Sequence, residues 1–523
     1  MPHTIDPHTL YSDAKFFLDY IEANKQTADF FQHSGTSLFR LAEARETLFS
    51  PQTRAEVCDA LLGYNQWIDA PDAARQNVQR LRDPKALCVI GGQQAGFLGG
   101  PLFVLYKIAS IIRTAAHLSE QLNLPVVPVF WLASEDHDFA EINHMRWMDE
   151  SGALRTISFD WEGEGRPIES LPITAAVSQA YREANEKMTF SVASDSDLFS
   201  PVEGDNYCTW HARVWSRLFA KHGLILVEPR VLRSAATPLF QRVLAERVEI
   251  QHGLTDSSIR LRNLGYPVPL DPNRSGTLFE ILEDSGMRQL LTQEIATFAS
   301  QPNRIFSSDA ATRPLIVDSL LPTIANILGP SELAYHAMLR PLYEQWDIPQ
   351  PLAIPRNGAT VIPARGLQSL TDWGIDVAAM LLPNFNPADI VKNAASENLR
   401  SQFTAARDRI GDALMPLRSF LAQIDPGLET RWHQTVDQAR YQVDRLEDRA
   451  IRADLARRGL SVKALQNLKP WLLPMDKPQE RILSAFSFIA RYGIKWIDDM
   501  IAHGELHRFE HQLIVLEESH EQG

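Results

Sequence analysis

Apolar positions spaced three and four apart run through "SDAKFFLDYIEANKQTADFF", with Ser12 placed to cap a helix. "SPQTRAEVCDALLGYNQWI" opens on Ser50-Pro51, a favoured cap and first-turn pair, so residues 1–85 read as a helical region. The pattern then changes. "KALCVIGG" is a short apolar run, Ala86 to Ile90, closed by glycines; Pro101 to Leu122 has helical period; "LPVVPVFWLAS" is a second apolar run leading into "EDHDFAEINH". Strand, helix, strand in that order predicts an α/β fold with a parallel sheet. "HGLILVEP" (His222 to Pro229) predicts another buried strand, and "PLIVDSLLPTIANILG" (Pro314 to Gly329) a strand leading into a helix. "QPLAIPRNGATVIP" adds a third apolar run rich in proline. The core is expected over 86–384, with insertions at about 150–205 and 255–310.

A different period begins near residue 385. Leu399, Phe403, Ile410, Leu414, Leu417, Leu421, Ile424 and Leu428 form one heptad-like seam. After the turn signal Asp425-Pro426-Gly427 it resumes at Trp432, Val436, Ala439, Val443, Leu446, Ala450 and Ala453. Residues 385–465 therefore predict an antiparallel α-helical coiled-coil hairpin, kinked at Pro416, and 466–523 a last amphipathic helical segment broken near Gly493.

Composition narrows the function classes. With 523 residues, several domains are expected. A net charge of −14 argues against a general nucleic-acid binder, which needs a basic face. No uninterrupted apolar run reaches membrane-spanning length, and "MPHTIDPHTLYSDAK" shows no charged and then apolar leader. Cys58, Cys88 and Cys208 are odd in number and far apart, so neither a disulfide framework nor a thiolate zinc site is expected. A cytoplasmic protein fits these readings.

Two stretches concentrate chemistry at strand ends, where open α/β sheets bind ligands. Gly91, Gly92, Gly96, Gly99 and Gly100 would let backbone approach a ligand, and the next helix would offer N–H groups and Lys107 to an anion. A tight strand-to-helix turn explains the glycines equally well, and neither a Walker loop nor a GxGxxG fingerprint is present. Gln93 and Gln94 add carboxamides that both donate and accept. The second stretch holds Glu135, Asp136, His137, Asp138, Glu141 and His144; on a helix, His137, Glu141 and His144 would share one face, as a metal site or a base with its orienting carboxylate. Glu332, Tyr335, His336 and Arg340, on a helix that Ser331 could cap, and Arg356 beside a strand end, would complete the cleft; Arg313 and Asp318 are weaker candidates.

"GGQQAGFLGGPLFVLYK", "PVFWLASEDHDFAEINH", "GPSELAYHAMLRPLYEQWDIPQPLAIPR" and "ERILSAFSFIARYGIKWID" resemble the blocks of the BshC family, the cysteine ligases of bacillithiol biosynthesis, over nearly the whole chain. The sequence departs from that pattern at Pro267, Pro269 and Ser331. The resemblance implies a Rossmann-like core with connecting insertions, a coiled coil supporting a homodimer, and the joining of cysteine to the amine of glucosaminyl-malate. Amide formation from a free carboxylate is uphill, so ATP with Mg²⁺ is the expected activator. Gly91, Gly92, Gln93, Gln94, Gly96, Gly99 and Lys107 are then expected at the nucleotide, and Glu135, Tyr335 and Arg356 at the substrate. Asp136, His137, Asp138, Glu141, His144, Glu332 and His336 are expected in catalysis, with Asp136 or Asp138 the ligands for a nucleotide-borne Mg²⁺ and no tightly held metal. Three other readings stay open: a nucleotidyltransferase-like enzyme on another substrate, a nucleotide-binding scaffold or sensor without turnover, and a metal-dependent hydrolase using His137, Glu141 and His144.

Overall fold

The computed structural model describes residues 3–32, 38–188, 197–291, 304–382, 384–503, 509 and 511–517. Their strands are β1 (His3–Ile5), β2 (Leu87–Gln93), β3 (Val126–Leu132), β4 (His144–Met148), β5 (Leu154–Ser158), β6 (Ile225–Val227), β7 (Leu278–Ile281), β8 (Arg288–Leu290), β9 (Ile305–Ser308), β10 (Thr323–Leu328), β11 (Leu352–Pro355), β12 (Gly358–Pro363) and β13 (His511–Leu516). Five of them form a parallel sheet in the order β11-β10-β2-β3-β6. Numbered by appearance within the sheet, the order is 3-2-1-4-5 from the β6 edge, the Rossmann order, and it reverses between β2 and β10. Strand β2 runs beyond the expected end at Ile90 through Gly91 and Gly92. A Cβ on Gly91 would stand 3.0 Å from the Ile327 carbonyl oxygen, and one on Gly92 2.9 Å from that of Trp131. Glycine lets the strand continue between two close neighbours instead of ending it.

The helix Leu102–Leu122 covers the sheet. By length and composition it is apolar enough to cross a membrane, but it is mostly buried, Lys107 and Arg113 included. The described residues of the expected helical region form six helices between Pro7 and Arg80, plus β1. Ser50 caps Pro51–Trp67 by accepting the Thr53 N–H at 3.0 Å. Ser12 caps nothing; that helix starts at Lys15 behind Ala14. The order expected for Pro314 to Gly329 is reversed: the helix Thr312–Leu320 comes first and β10 follows. Leu321, extended before Pro322, ends the helix, and the β-branched Thr323, Ile324 and Ile327 carry the strand.

The stretch 255–310 contains a three-stranded antiparallel sheet in the order β8-β7-β9. A further sheet, β1-β13-β12, joins the two ends of the chain. The C-terminal segment forms the helices Gln479–Ile482, Ala485–Tyr492 and Lys495–His503; Gly493 breaks it as expected, and so does the junction at Leu483-Ser484.

The chain divides into two compact units, one of residues 1–149, 154–361 and 477–523, the other of 362–476 with 150–153. In the second, the helices Glu397–Ile424 and Gly427–Arg457 make an antiparallel hairpin, turned at Asp425-Pro426. The first helix runs through Pro416 as one element. Arg407 pairs across the hairpin with Asp444 and Glu447, and Trp432 Nε1 donates to the Leu414 carbonyl at 2.7 Å. Trp432 and Val436 are buried in the seam, but Leu417, Ile424, Leu446 and Ala453 are exposed, contrary to the heptad expectation.

In the first unit, burial depresses His211, His336 and His511 to about 4. Unfolded imidazoles take up protons below about 6.5, whereas these stay neutral, so the unfolded state binds more protons between those values. Stability is full above that window and falls as pH drops through it. Urea midpoints are expected to decrease steadily from pH 7 to pH 5; a constant midpoint over that range would contradict the three buried neutral rings.

Candidate functional site

A cleft of about 520 Å³ opens at the carboxyl ends of the parallel strands, where the sheet order reverses. Ile90 to Gln94 line it from β2, Trp131, Ala133 and Asp136 from the end of β3, and Asn326 to Leu328 from β10. Glu332, Tyr335 and His336 come from the helix Pro330–His336, while Phe279, Arg288, Asp309 and Arg313 close the opposite wall.

Lys107 anchors the floor. Its buried Nζ lies 2.7 Å from the Gly92 carbonyl oxygen, 3.1 Å from Gln93 Oε1, and 2.8 and 2.7 Å from the two Glu332 oxygens. An ammonium has three protons, so these partners occupy it fully. The expectation that Lys107 neutralises phosphate charge is therefore corrected: it is a tie between elements. Burial lowers its pKa. Burial alone would raise Glu332, but Lys107 and the Gly329 N–H, which donates to Glu332 Oε2 at 2.6 Å, outweigh it and hold the carboxyl below its usual range. Glu332 thereby ties the start of its own helix, and Ser331 does not cap it.

The glycines separate into two sets. Gly91 and Gly92 line the cleft; Gly96 and Gly99 do not. A Cβ on Gly96 would come within 2.7 Å of Gly100 Cα, and Gly99, at φ +88°, packs against Trp215. Nor is the next helix start free for an anion, because Leu102 N–H donates to the Leu483 carbonyl at 2.9 Å. The tight-turn explanation accounts for this loop.

The acidic stretch is not one helix. Only Phe139–Ile142 is helical, and His144 begins β4, so His137, Glu141 and His144 share no face. Pro-free and polar, the stretch is instead drawn out by its tertiary partners. Among the described residues no group of three or more His, Cys, Asp or Glu is arranged to hold a metal. Asp136 accepts from Arg313 Nη2 at 2.8 Å and from Gln94 Nε2 at 3.3 Å, with Arg288 Nη1 at 3.7 Å. Burial would raise its pKa, but the two guanidiniums dominate and keep it ionised. It fits neither a proton acceptor nor a metal ligand. His137 Nδ1 takes a hydrogen bond from Arg288 Nη1 at 3.2 Å, leaving the neutral ring to carry its proton on Nε2. Asp138 stands exposed at the helix start, and its side chain makes no capping bond there. Glu141 lines the cleft.

Five expected residues, Glu135, His144, Arg356, Arg340 and Asp318, lie elsewhere. Glu135 is buried against Arg233, which also meets Glu169, and desolvation pushes its carboxyl up to about 7. His144 bonds Asn143 in the hairpin of β4. Arg356, expected to meet substrate, is 2% exposed and paired with Glu480 at 2.7 Å, which also accepts from the Tyr11 hydroxyl at 2.9 Å and the Ala359 N–H at 3.3 Å. Arg340 pairs with Glu344 on its own helix, and Asp318 is buried beneath Asn326 and Tyr343. His336 does line the cleft. It is 5% exposed, its ring nitrogens have no hydrogen-bond partner among the described residues, and burial keeps it neutral.

Sequence reasoning missed Phe279, Arg288 and Asp309 and undervalued Arg313. Asp309 accepts from the N–H groups of Gly276, Thr277, Ala311 and Thr312 and from the Thr312 hydroxyl. The Asp-x-x-Thr pattern before a helix was the available signal; nothing local marks Arg288.

Residues 4–357 match the model of the N-terminal Rossmann-like domain of bacillithiol biosynthesis BshC, and 359–516 that of its C-terminal coiled-coil domain. A relative from Koribacter versatilis, named "Putative cysteine ligase BshC", is 29% identical over 95% of both chains. One of the same name from Geobacillus thermodenitrificans is 30% identical over 88% of this chain and 90% of its own. A third, from Geobacillus kaustophilus, is 30% identical over 86% and 88%.

Removing Glu480 leaves the Arg356 guanidinium buried without its paired carboxylate, a loss of about 3–5 kcal/mol. Glu480→Ala is expected to unfold at correspondingly lower urea, and the double variant Glu480→Met/Arg356→Met to recover much of the difference. Equal stability of Glu480→Ala and the parent would rule out the pair as a structural tie.

Proposed function

Because the chain belongs to the BshC family of bacillithiol biosynthesis, we propose that it is an ATP-dependent ligase joining the carboxyl of cysteine to the amine of glucosaminyl-malate, acting in the cytoplasm. The observation that carries this reading is the cleft at the sheet's reversal point, which presents carboxamides, carboxylates, two guanidiniums and a neutral imidazole together. A cysteine carboxylate oxygen attacks a phosphorus of ATP, releasing ADP or pyrophosphate and leaving an acyl-phosphate or acyl-adenylate. The acceptor nitrogen then adds to that carbonyl carbon, loses a proton, and expels phosphate or AMP.

The chain's residues have distinct parts in this scheme. Gly91 and Gly92 offer close backbone approach, and Gln93 and Gln94, held by Lys107 and Asp136, orient polar groups of nucleotide or substrate. His336, neutral and with no hydrogen-bond partner among the described residues, accepts the proton from the attacking nitrogen. Glu141 lies on the same cleft and attracts the amine. Mg²⁺ comes with the nucleotide, since Asp136 is already engaged by cations.

Purified protein incubated with ATP, Mg²⁺, cysteine and glucosaminyl-malate is expected to give the thiol product by mass spectrometry, with ADP or AMP identifying the activation route. Nucleotide binding without product would favour the scaffold reading. His336→Asn is expected to lower turnover about 100-fold with substrate affinity nearly unchanged; unaltered turnover would remove the proton-acceptor role. A homodimer through the hairpin is supported by the exposed Met415, Leu417, Phe420 and Ile424 on its first helix. Light scattering should give twice the chain mass, and Leu417→Glu/Phe420→Glu should give the monomer.

A further inference from the structure

The ligation scheme gives no part to the polar residue on the β10 wall of the cleft. Asn326 lies mid-strand, followed by Ile327 and Leu328, and pairs with Ile90 of β2 and Ala353 of β11. It is 8% exposed and lines the cleft together with Ile90, Val317 and Leu328. Its Nδ2 donates to Asp318 Oδ2 at 3.1 Å, and the Tyr343 hydroxyl donates to the same oxygen. Asp318 and Tyr343 are fully buried, and Arg45 Nη1 fixes the backbone beneath by donating to the Asp318 carbonyl at 2.6 Å. Burial keeps the proton on the Tyr343 hydroxyl. Burial raises the Asp318 carboxyl as well, but a proton it took up would sit on Oδ1, because Oδ2 already faces two donors. Turning the carboxamide over would set two acceptors against each other. Asn326 is thus held with its oxygen as the free end, and Oδ1 has no partner among the described residues.

We propose that Asn326 is a catalytic residue that orients the nucleophile: its Oδ1 accepts one N–H of the attacking amine and leaves the lone pair for the activated carbonyl. Asp318 is the positioning residue that fixes which end of the carboxamide the amine meets. The charge of the acceptor decides what it can hold. A carboxylate such as Glu141 favours the ammonium, which has no lone pair and cannot attack. A carboxamide carries no net charge, so it binds an N–H of the free base without drawing the amine back to its protonated form. The apolar neighbours act in the same direction, because a charged nitrogen beside Ile90, Val317 and Leu328 would lose hydration that nothing there restores. Asn326 takes up no proton; that proton leaves to His336 as in the scheme above. The inference rests on the ligase reading and adds to it the group that aims the amine.

The test compares two nucleophiles on the same activated cysteine. The full-length parent, Asn326→Leu and Asp318→Asn receive ATP, Mg²⁺ and cysteine with either glucosaminyl-malate or concentrated hydroxylamine, whose small nitrogen gives cysteine hydroxamate. Asn326→Leu keeps the side-chain volume and removes the acceptor. The ratio of ligation to hydroxamate is therefore expected to fall about tenfold, the contribution of one hydrogen bond in the transition state. The loss should appear in kcat, with KM for ATP and cysteine unchanged. Asp318→Asn lets the carboxamide turn over and should lower the same ratio. If Asp318→Asn does not fold, Asn326→Leu decides alone. An unchanged ratio in Asn326→Leu overturns the proposal, whether both rates hold or both drop, since a structural defect lowers the two together. A parent that forms neither product removes the ligase reading and this inference with it. A parent that forms both keeps the ligase reading whichever way the ratio in Asn326→Leu goes.

Discussion

One buried ammonium organises the cleft. Lys107 stands on the helix that crosses from β2 to β3, yet its charge reaches back to the end of β2 and across to the helix after β10. These elements meet where the sheet order reverses, the one place where two neighbouring strands send their connections to opposite faces and leave a gap. A cation removed from water has to be matched there, and Gly92, Gln93 and Glu332 match it with no proton left over. The gap is thereby held open at a fixed width, and the floor becomes a polar surface whose own hydrogen bonds are already settled. What remains free to meet a ligand lies on the walls.

The matching of buried charge continues outward. Glu332 lies beside Arg356, Arg356 is paired with Glu480, and Glu480 holds Tyr11, whose hydroxyl lies 3.2 Å from His511 Nδ1. The Thr360 hydroxyl meets the other ring nitrogen at 2.8 Å. Positive and negative groups alternate from Lys107 to Glu480, and the neutral Tyr11 and His511 carry the hydrogen bonds on to the sheet that joins the chain ends. The buried charges are matched link by link, with backbone groups of Gly329, Asn357 and Ala359 taking the remaining bonds, so the network couples the cleft to the chain ends.

The parts of this that a reader of the sequence could see are those whose causes are local. The runs at Cys88 and Val126, the Ser50-Pro51 start, the Gly493 break and the two long hairpin helices all follow from spacing and turn chemistry, and the structure has each of them. Where the sequence misled, a distant partner decided. The glycines after Ile90 looked like a strand end but let the strand pass between Ile327 and Trp131. The acidic stretch looked helical but is drawn into separate contacts by Arg313, Arg288 and Arg233. Arg356 looked like a substrate ligand because its partner, Glu480, lies more than a hundred residues away. Arg288 carried no signal, since it sits on a short polar strand whose place at the cleft depends wholly on tertiary packing. Leu417 and Ile424 kept a heptad period that two helices alone cannot bury.

Strand β1 pairs with β13, so His3 to Ile5 find their hydrogen-bond partners in residues 511–516. During synthesis the first strand leaves the ribosome with almost the entire chain still to be made. Until the C-terminal segment follows, Tyr11 and Arg356 lack Glu480 and then His511, and the first unit holds a guanidinium without its paired carboxylate. Long-range closure of this kind is slow and comes late. A chain stopped short of residue 480 would leave that guanidinium without its paired carboxylate and β1 without its partner strand, features that mark an unfinished product for chaperones and proteases.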